Sequence, residues 1–445
     1  MLLTPLLSLL LIQNLVPTYT DIAYGAKPAE KLDVYISPSA VPTPAVIEFH
    51  PGGWSSGGKS QFSVYGRAIE KIYNKGITII SIDYPLAPAE LYPAQNLSCL
   101  RAVQFVRANA SLWNIDKNNI GGIGASAGAQ LAMWVSMAPD AANPSSADPV
   151  LHESSRLRAV VSVSGPSDFT TGFYKHNPAV SAHGSPVWAY FGVSNQQQWD
   201  AIPQSTKQAA SARWLASGAE ILQNKNVSVL CVHEGDPNVV AASELPLPVT
   251  NVHDLVQGMI FTETLQSIGN PDASLWVGAS IEDPLGSYYP GVIIADWFRV
   301  RFNTNRISNF GFGTPGCFGY EYLLSNEAAS LGNINFRIQG YLGLANSLGA
   351  LIISTAKYDT ILDPFAIGLR LSLDFNSPEL IAMDVNLDNA GNFTLNVAVP
   401  PNPVLSGQTF YAQAITSWNG PGAPVGCNPS LFKLSSTNLL RIQIP

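Results

Sequence analysis

The chain has 445 residues, of which 46% are hydrophobic and 12% charged, with a formal net charge of −8. That content buries a large core and excludes a disordered chain, and the length predicts two domains. The acidic balance carries no basic stripe, which excludes nucleic-acid binding. No Cys/His spacing suggests zinc, so neither a metal nor a cofactor is expected.

Residues 1–18 open with Met1-Leu2-Leu3-Thr4-Pro5-Leu6-Leu7-Ser8-Leu9-Leu10-Leu11-Ile12. This run is too short for a comfortable membrane span and resembles the apolar core of a signal peptide. It predicts cleavage near Thr18 to Thr20 and a secreted, periplasmic or cell-surface protein with no membrane span in the mature chain. The alternative is a buried N-terminal strand or helix.

Asp21–Gly25 and Leu32–Ile36 read as opening strands, and Pro44–Phe49 as a third. His50-Pro51-Gly52-Gly53-Trp54 follows. A glycine loop after an early strand turns its N–H groups toward a reacting centre, where they stabilise a negative oxygen. Pro51 has no N–H to offer, so Gly52 and Gly53 are the candidate donors. A tight turn around a packed tryptophan is the plainer reading. Residues 64–75 read as a helix, the β-branched run Ile77–Ile82 as a buried parallel strand, 85–93 as a proline-rich loop, and 94–109 as a second helix.

Small apolar residues then lead into Gly124-Ala125-Ser126-Ala127-Gly128, a G-x-S-x-G pattern, with a helix expected over 129–135. A sharp strand-to-helix turn crowds the backbone two residues before and two after its apex. Glycine at both places lifts that clash and leaves the serine hydroxyl exposed above a helix N-terminus. Ser126 is therefore the candidate nucleophile, and the Ala127 amide a third oxyanion donor. By itself the pattern also fits a glycine-rich turn with no chemistry; the loop at 50–54 makes coincidence unattractive.

With those residues in view, the chain resembles α/β-hydrolase esterases and lipases of the hormone-sensitive-lipase-like and feruloyl- or acetyl-xylan-esterase-like groups. The likeness rests on His50–Trp54, Asp83-Tyr84-Pro85-Leu86-Ala87-Pro88, Asn114-Ile115-Asp116 and Gly124–Gly128. It implies a mostly parallel sheet with helices on both faces, and serine ester hydrolysis with chain order Ser, acid, His.

Leu157–Ser164, Val227–Val232 and Ser274–Val277 read as the remaining strands of that sheet. Residues 169–210 are long and aromatic. Phe173, Tyr174, Trp188, Tyr190, Phe191 and Trp199 either line a cleft or form a helical cap packed on the core. After strand 227–232 the resemblance places the acid in a turn that here reads His233-Glu234-Gly235-Asp236-Pro237. Asp236 is the leading candidate, Glu234 the second, and His233 a strand-end residue contacting backbone. After the last strand, near position 280, the family usually has its histidine; this chain has Ser280, and no histidine follows His253. The long loop 238–252 leaves from the catalytic edge and offers His253 as a relocated base, with Asp254 either orienting it or capping a helix. The plainer reading of His253 is an exposed helix-start residue.

Pro290–Phe302 reads as the closing helix and 303–309 as a polar linker. Beyond it, Phe336 and Ile338, Leu351–Ile353, Phe393 to Val399, Thr409–Thr416 and Leu439–Ile444 alternate as short strands, which predicts an all-β sandwich. Its Gly316-Cys317 opening and Gly407–Gln413 resemble C-terminal β domains of secreted bacterial proteins. Cys317 and Cys427 are a candidate disulfide, and Cys99 and Cys231 candidate core thiols. The expected organisation is a signal peptide (1–18), an α/β-hydrolase domain (19–303), a linker (304–309) and a β-sandwich (310–445). The expected function is a secreted serine esterase acting on short acyl or polysaccharide-linked esters through Ser126, Asp236 and His253. The sandwich is a possible site of surface or glycan contact. The alternative is a non-catalytic relative that binds a surface or glycan, since the late histidine is absent.

Overall fold

The computed structural model describes residues 15–60, 66–170, 173, 186–218, 221–224, 226–234, 251–270, 272–278, 290–303, 307–310, 322–325, 329–341, 343–362, 369, 371–374, 377–389, 391–418, 433–437 and 439–444. The expected signal segment (apart from its last residues), Asp236, Ser280, Cys317 and Cys427 lie outside them.

Eight strands build the first sheet: β1 (Tyr19–Ala23), β2 (Lys31–Tyr35), β3 (Thr43–Phe49), β4 (Thr78–Ile82), β5 (Ile115–Ala125), β6 (Ala159–Val163), β7 (Ser228–Glu234) and β8 (Ala273–Gly278). Their spatial order is β1-β2-β4-β3-β5-β6-β7-β8. β1 and β2 run antiparallel to their neighbours, and every pair from β4 to β8 is parallel. β4 and β6 are buried along their whole length, as strands covered on both faces must be. Thr18 N–H already bonds the Val34 carbonyl, so the expected cleavage window falls on the start of β1.

The helices are α1 (Gly66–Asn74), α2 (Ala94–Ala108), α3 (Ala127–Met137), α4 (Pro186–Phe191), α5 (Gln196–Ala201), α6 (Gln204–Ala210), α7 (Ala212–Ala216), α8 (Ile221–Asn224), α9 (Leu255–Ser267) and α10 (Pro290–Asn303). The period-2 alternation of the strands sorts them into two layers. Ile47 and Phe49 pack with Cys99 and Val103 of α2, Leu131 of α3 and Phe261 of α9. Val46 and Ile123 pack with Ile69 and Ile72 of α1 and Trp297 and Phe298 of α10. Cys99 and Cys231 are buried free thiols.

The segment after β6 is a packed cap rather than an open cleft where it is described. Phe169, Tyr190 and Trp199 are fully buried, and Phe191 meets all three edge-on. Tyr174 lies outside the described residues.

The C-terminal strands are β9 (Ile307–Phe310), β10 (Tyr322–Ser325), β11 (Arg337–Tyr341), β12 (Leu348–Ser354), β13 (Lys357–Leu362), β14 (Leu371–Leu373), β15 (Ile381–Asn386), β16 (Phe393–Asn396), β17 (Thr409–Ser417), β18 (Leu434–Ser436) and β19 (Leu439–Gln443). One sheet runs β10-β11-β16 and another β15-β12-β17-β19-β9, with β18 beside β17. Leu323, Ile338 and Phe393 of the first share a core with Leu351, Val385, Ala414 and Ile442 of the second, which makes a sandwich. Residues 307–309, read as linker, are instead paired: β9 adds antiparallel to β19, and Ser308 faces Arg441. So short a run gives no strand pattern by itself; it pairs with a partner far along the chain.

Candidate functional site

β3 and β5 lie side by side, so the segments leaving their carboxyl ends meet. Ser126 sits at the apex between β5 and α3 with φ 50° and ψ −116°, a left-handed conformation costly for a non-glycine residue. The flanking glycines permit it. A Cβ on Gly124 would stand 2.3 Å from the Gly128 backbone, and one on Gly128 would stand 1.9 Å from the Phe49 carbonyl oxygen. The second contact is what draws the start of α3 onto the end of β3, and hence the 50–54 loop toward Ser126.

That loop is held firmly. Gly52 and Gly53 adopt φ of 124° and 59°, and Trp54 follows at 58°. Trp54 is buried, donates its indole N–H to Gln130 Oε1 at 3.0 Å, and stacks on Tyr190 of α4 at 4.5 Å. The His50 ring stacks on Tyr84 at 4.0 Å, its Nδ1–H donates to the Pro51 carbonyl, and Tyr84 Oη donates to the His50 carbonyl. Burial lowers the His50 pKa, so the ring is neutral at neutral pH. Among the described residues no hydrogen bond leaves the amides of Gly52, Gly53 or Ala127. They are the three donors expected from the sequence.

His253 Nε2 lies 2.7 Å from Ser126 Oγ. The histidine stands two residues before α9, and α9 is pinned in four ways. Asp254 caps it by accepting the Val256 N–H at 3.0 Å; of its two expected uses, the cap is the one made. Gln257 takes the Ser167 and Asp168 amides on its carboxamide oxygen. Gly258 lets the helix settle on the buried His233 ring, since a Cβ there would be 2.4 Å from His233 Cδ2. His233 Nδ1–H in turn donates to the His253 carbonyl at 3.4 Å, the backbone contact anticipated for it. Burial pushes His233 down to about 4, so this ring stays neutral. The sequence carried no signal for Gln257 or Gly258, which read as ordinary helix positions.

His253 remains exposed on its outer side. The protein around it lowers its pKa below the ordinary 6.5, against the opposing effect of the Glu234 carboxylate at the end of β7. A neutral imidazole beside a serine hydroxyl, with three free amides nearby, can take the hydroxyl proton and hold a tetrahedral oxyanion. Asp236, the leading acid candidate, lies outside the described residues.

The sheet order, the strained serine and the glycine loop define an α/β-hydrolase domain. Its residues 32–233 match the BD-FAE family model. The esterase LipC of Mycobacterium tuberculosis is 34% identical over 114 residues, 25% of this chain and 28% of that protein. The arylesterase of Saccharolobus solfataricus is 34% identical over 92 residues, 21% of this chain and 29% of that protein. The chain thus spans less than a third of the length of the curated relatives it matches. Among solved structures, a truncated carbohydrate esterase from gut microbiota superposes with a TM-score of 0.50 at 18% identity, covering 66% of this chain and 99% of that one. This last likeness concerns the fold.

Proposed function

We propose that the protein is a secreted serine carboxylic-ester hydrolase acting on short acyl or carbohydrate-linked esters. The observation that carries the reading is the 2.7 Å separation of His253 Nε2 and Ser126 Oγ at a strained elbow. In the first half-reaction His253 accepts the Ser126 proton as Oγ attacks the ester carbonyl, and the amides of Gly52, Gly53 and Ala127 receive the oxyanion. The carbonyl reforms, the alcohol leaves with the proton from His253, and Ser126 holds the acyl group. Water, giving a proton to His253, then attacks that ester; the carboxylic acid leaves as Ser126 Oγ takes the proton back from His253. The acid that orients the imidazole and balances its charge is assigned to Asp236 from its place in the sequence just after β7. Support for ester substrates comes from the esterase relatives, and for sugar-linked esters from the sequence likeness to feruloyl and acetyl-xylan esterases. The apolar residues 1–18 support export.

The test is turnover of a short-chain nitrophenyl ester and labelling by a fluorophosphonate probe, for wild type, Ser126→Ala and His253→Ala. The expected result is a loss of about a thousandfold or more in kcat/KM for both variants, with labelling abolished in Ser126→Ala. A wild type no faster than Ser126→Ala would establish the non-catalytic reading instead.

A further inference from the structure

Glu48 is an acidic residue in the middle of an apolar sheet. It lies on β3, opposite Ser81 of β4 and Ile123 of β5, and is 7% exposed. Among the described residues it forms no ion pair. Its one hydrogen-bond partner there is the Ser81 hydroxyl, with Oε2 to Oγ at 2.5 Å. Ser81 Oγ also lies 2.8 Å from the Lys59 carbonyl oxygen.

A hydroxyl has one hydrogen, and a carbonyl oxygen only accepts. If Ser81 gave its hydrogen to a Glu48 carboxylate, the contact with Lys59 would be two oxygens facing each other with nothing between them. If Ser81 gives it to Lys59, the 2.5 Å contact needs a hydrogen from Glu48. The second arrangement puts a hydrogen in both Ser81 contacts, and it requires a carboxylic acid. The surroundings agree. From the end of β4, Asp83 turns a negative charge toward Glu48 and Tyr84 lies close by; β2 brings Asp33 and Tyr35; β5 offers only the apolar Ile123. Lys59, whose carbonyl Ser81 reaches, commits its ammonium to Asp33 at 2.9 Å and Asp21 at 3.1 Å. His50, two residues on, is stacked and neutral. Burial and Asp83 together push the Glu48 carboxyl up to about 8.

The far end of this relay is the end of the glycine loop. Lys59 N–H donates to Asp83 Oδ1 at 2.7 Å, its carbonyl accepts from Ser81, and its ammonium reaches β1 and β2. We propose that Glu48 is a positioning residue that works as a carboxylic acid, holding Lys59 through Ser81 and thereby the loop that carries Gly52 and Gly53. On ionisation the carboxylate claims the Ser81 hydrogen, the Lys59 carbonyl loses its donor, and the loop that binds the oxyanion slackens. This rests on the esterase reading above, and extends it from the residues at the carbonyl to the pH range over which the loop keeps its shape.

Glu48→Gln keeps a donor toward Ser81 and cannot ionise, so it separates the proton from the shape. Two measurements are made on the full chain. The first is kcat/KM for a nitrophenyl ester from pH 6 to pH 9.5. Wild type falls by about tenfold near pH 9 as the acid form is depleted, while Glu48→Gln, within about threefold of wild type at pH 7, stays flat. Ser81→Ala, which cuts the relay without a charge change, lowers kcat at pH 7 more than it raises KM. The second is Tm against pH. The folded state holds a proton that an unfolded carboxyl, with its ordinary value near 4.5, has already lost. Folding therefore weakens as pH rises from about 4.5 to about 8. The Tm advantage of Glu48→Gln over wild type should grow across that window and level off above it. A Tm difference that does not vary with pH, or an alkaline fall identical in wild type and Glu48→Gln, overturns the proposal. If wild type hydrolyses no ester, the esterase reading fails by itself, and the Tm arm still decides whether Glu48 is held as an acid.

Discussion

His253 Nε2 meets Ser126 Oγ at 2.7 Å across 127 residues of chain, from a position before the last strand of the sheet rather than after it. The imidazole stands two residues before α9, and Asp254, Gln257, Gly258 and His233 hold that helix and the His253 backbone in place. That arrangement makes specific demands on residues that touch neither serine nor substrate.

Gly258→Ala is the sharpest of them. In an exposed helix interior, alanine in place of glycine gains about 1 kcal/mol. Here the new Cβ falls 2.4 Å from the His233 ring, which is buried and cannot swing away. The clash outweighs the propensity, with an expected net loss of about 1–3 kcal/mol, the scale of overpacking. Because the displaced ring holds the His253 carbonyl, kcat should fall at least tenfold with KM nearly unchanged. Urea unfolding and steady-state kinetics on the same preparation check both.

Asp254→Ala removes the N-cap of α9. The loss of about 1 kcal/mol of stability is typical of such caps. Since the frayed turn adjoins His253, a fall in kcat should accompany it. Asp254→Asn, which keeps an oxygen acceptor for the Val256 N–H, should restore most of both, as followed by thermal melts and esterase rates.

Gly128→Ala tests the elbow. Its Cβ would lie 1.9 Å from the Phe49 carbonyl oxygen, and neither backbone has room to yield. Destabilisation at or above the upper end of the overpacking range, about 3 kcal/mol, is expected, with loss of fluorophosphonate labelling. Gly76→Ala makes a useful contrast. That glycine, unlike Gly128, has a positive φ of 81°, and it faces open space, so the substitution should cost only backbone strain and leave labelling intact.

In the proposed mechanism the acid limb of the pH profile reports His253. A general base works only when neutral, so kcat/KM falls as pH drops through the histidine pKa. Burial has moved that value below 6.5, and the Glu234 carboxylate opposes the shift. The limb should lie below pH 6.5 in wild type. Removing the charge with Glu234→Gln should move it lower still, extending activity into more acidic solution. A limb that moves upward in Glu234→Gln would mean another group is the base.

Local chemistry was enough to read much of this molecule from its residues. β-branched runs, glycine-flanked Ser126, the His50–Trp54 loop and the two-part organisation all follow from short stretches whose meaning is carried by neighbours in sequence. Strand pairing of the sandwich was less legible. β9 is only four residues, Ile307 to Phe310, too short a run to read as a strand until β19 offers it hydrogen bonds. The aromatic residues of 169–210 fit a cleft or a cap equally well by composition, and only packing separates the two. The meeting of His253 with Ser126 was one of two readings the sequence left open, the other being an exposed helix-start residue. It depends on where α9 rests, and that is decided by a missing Cβ at Gly258 and a buried ring at the end of β7. Glu48 shows the same limit from the other side. A carboxyl on a strand reads as solvated polar surface until the fold closes both faces over it. Only then do burial and a single shared hydroxyl hydrogen dictate that it keep its proton.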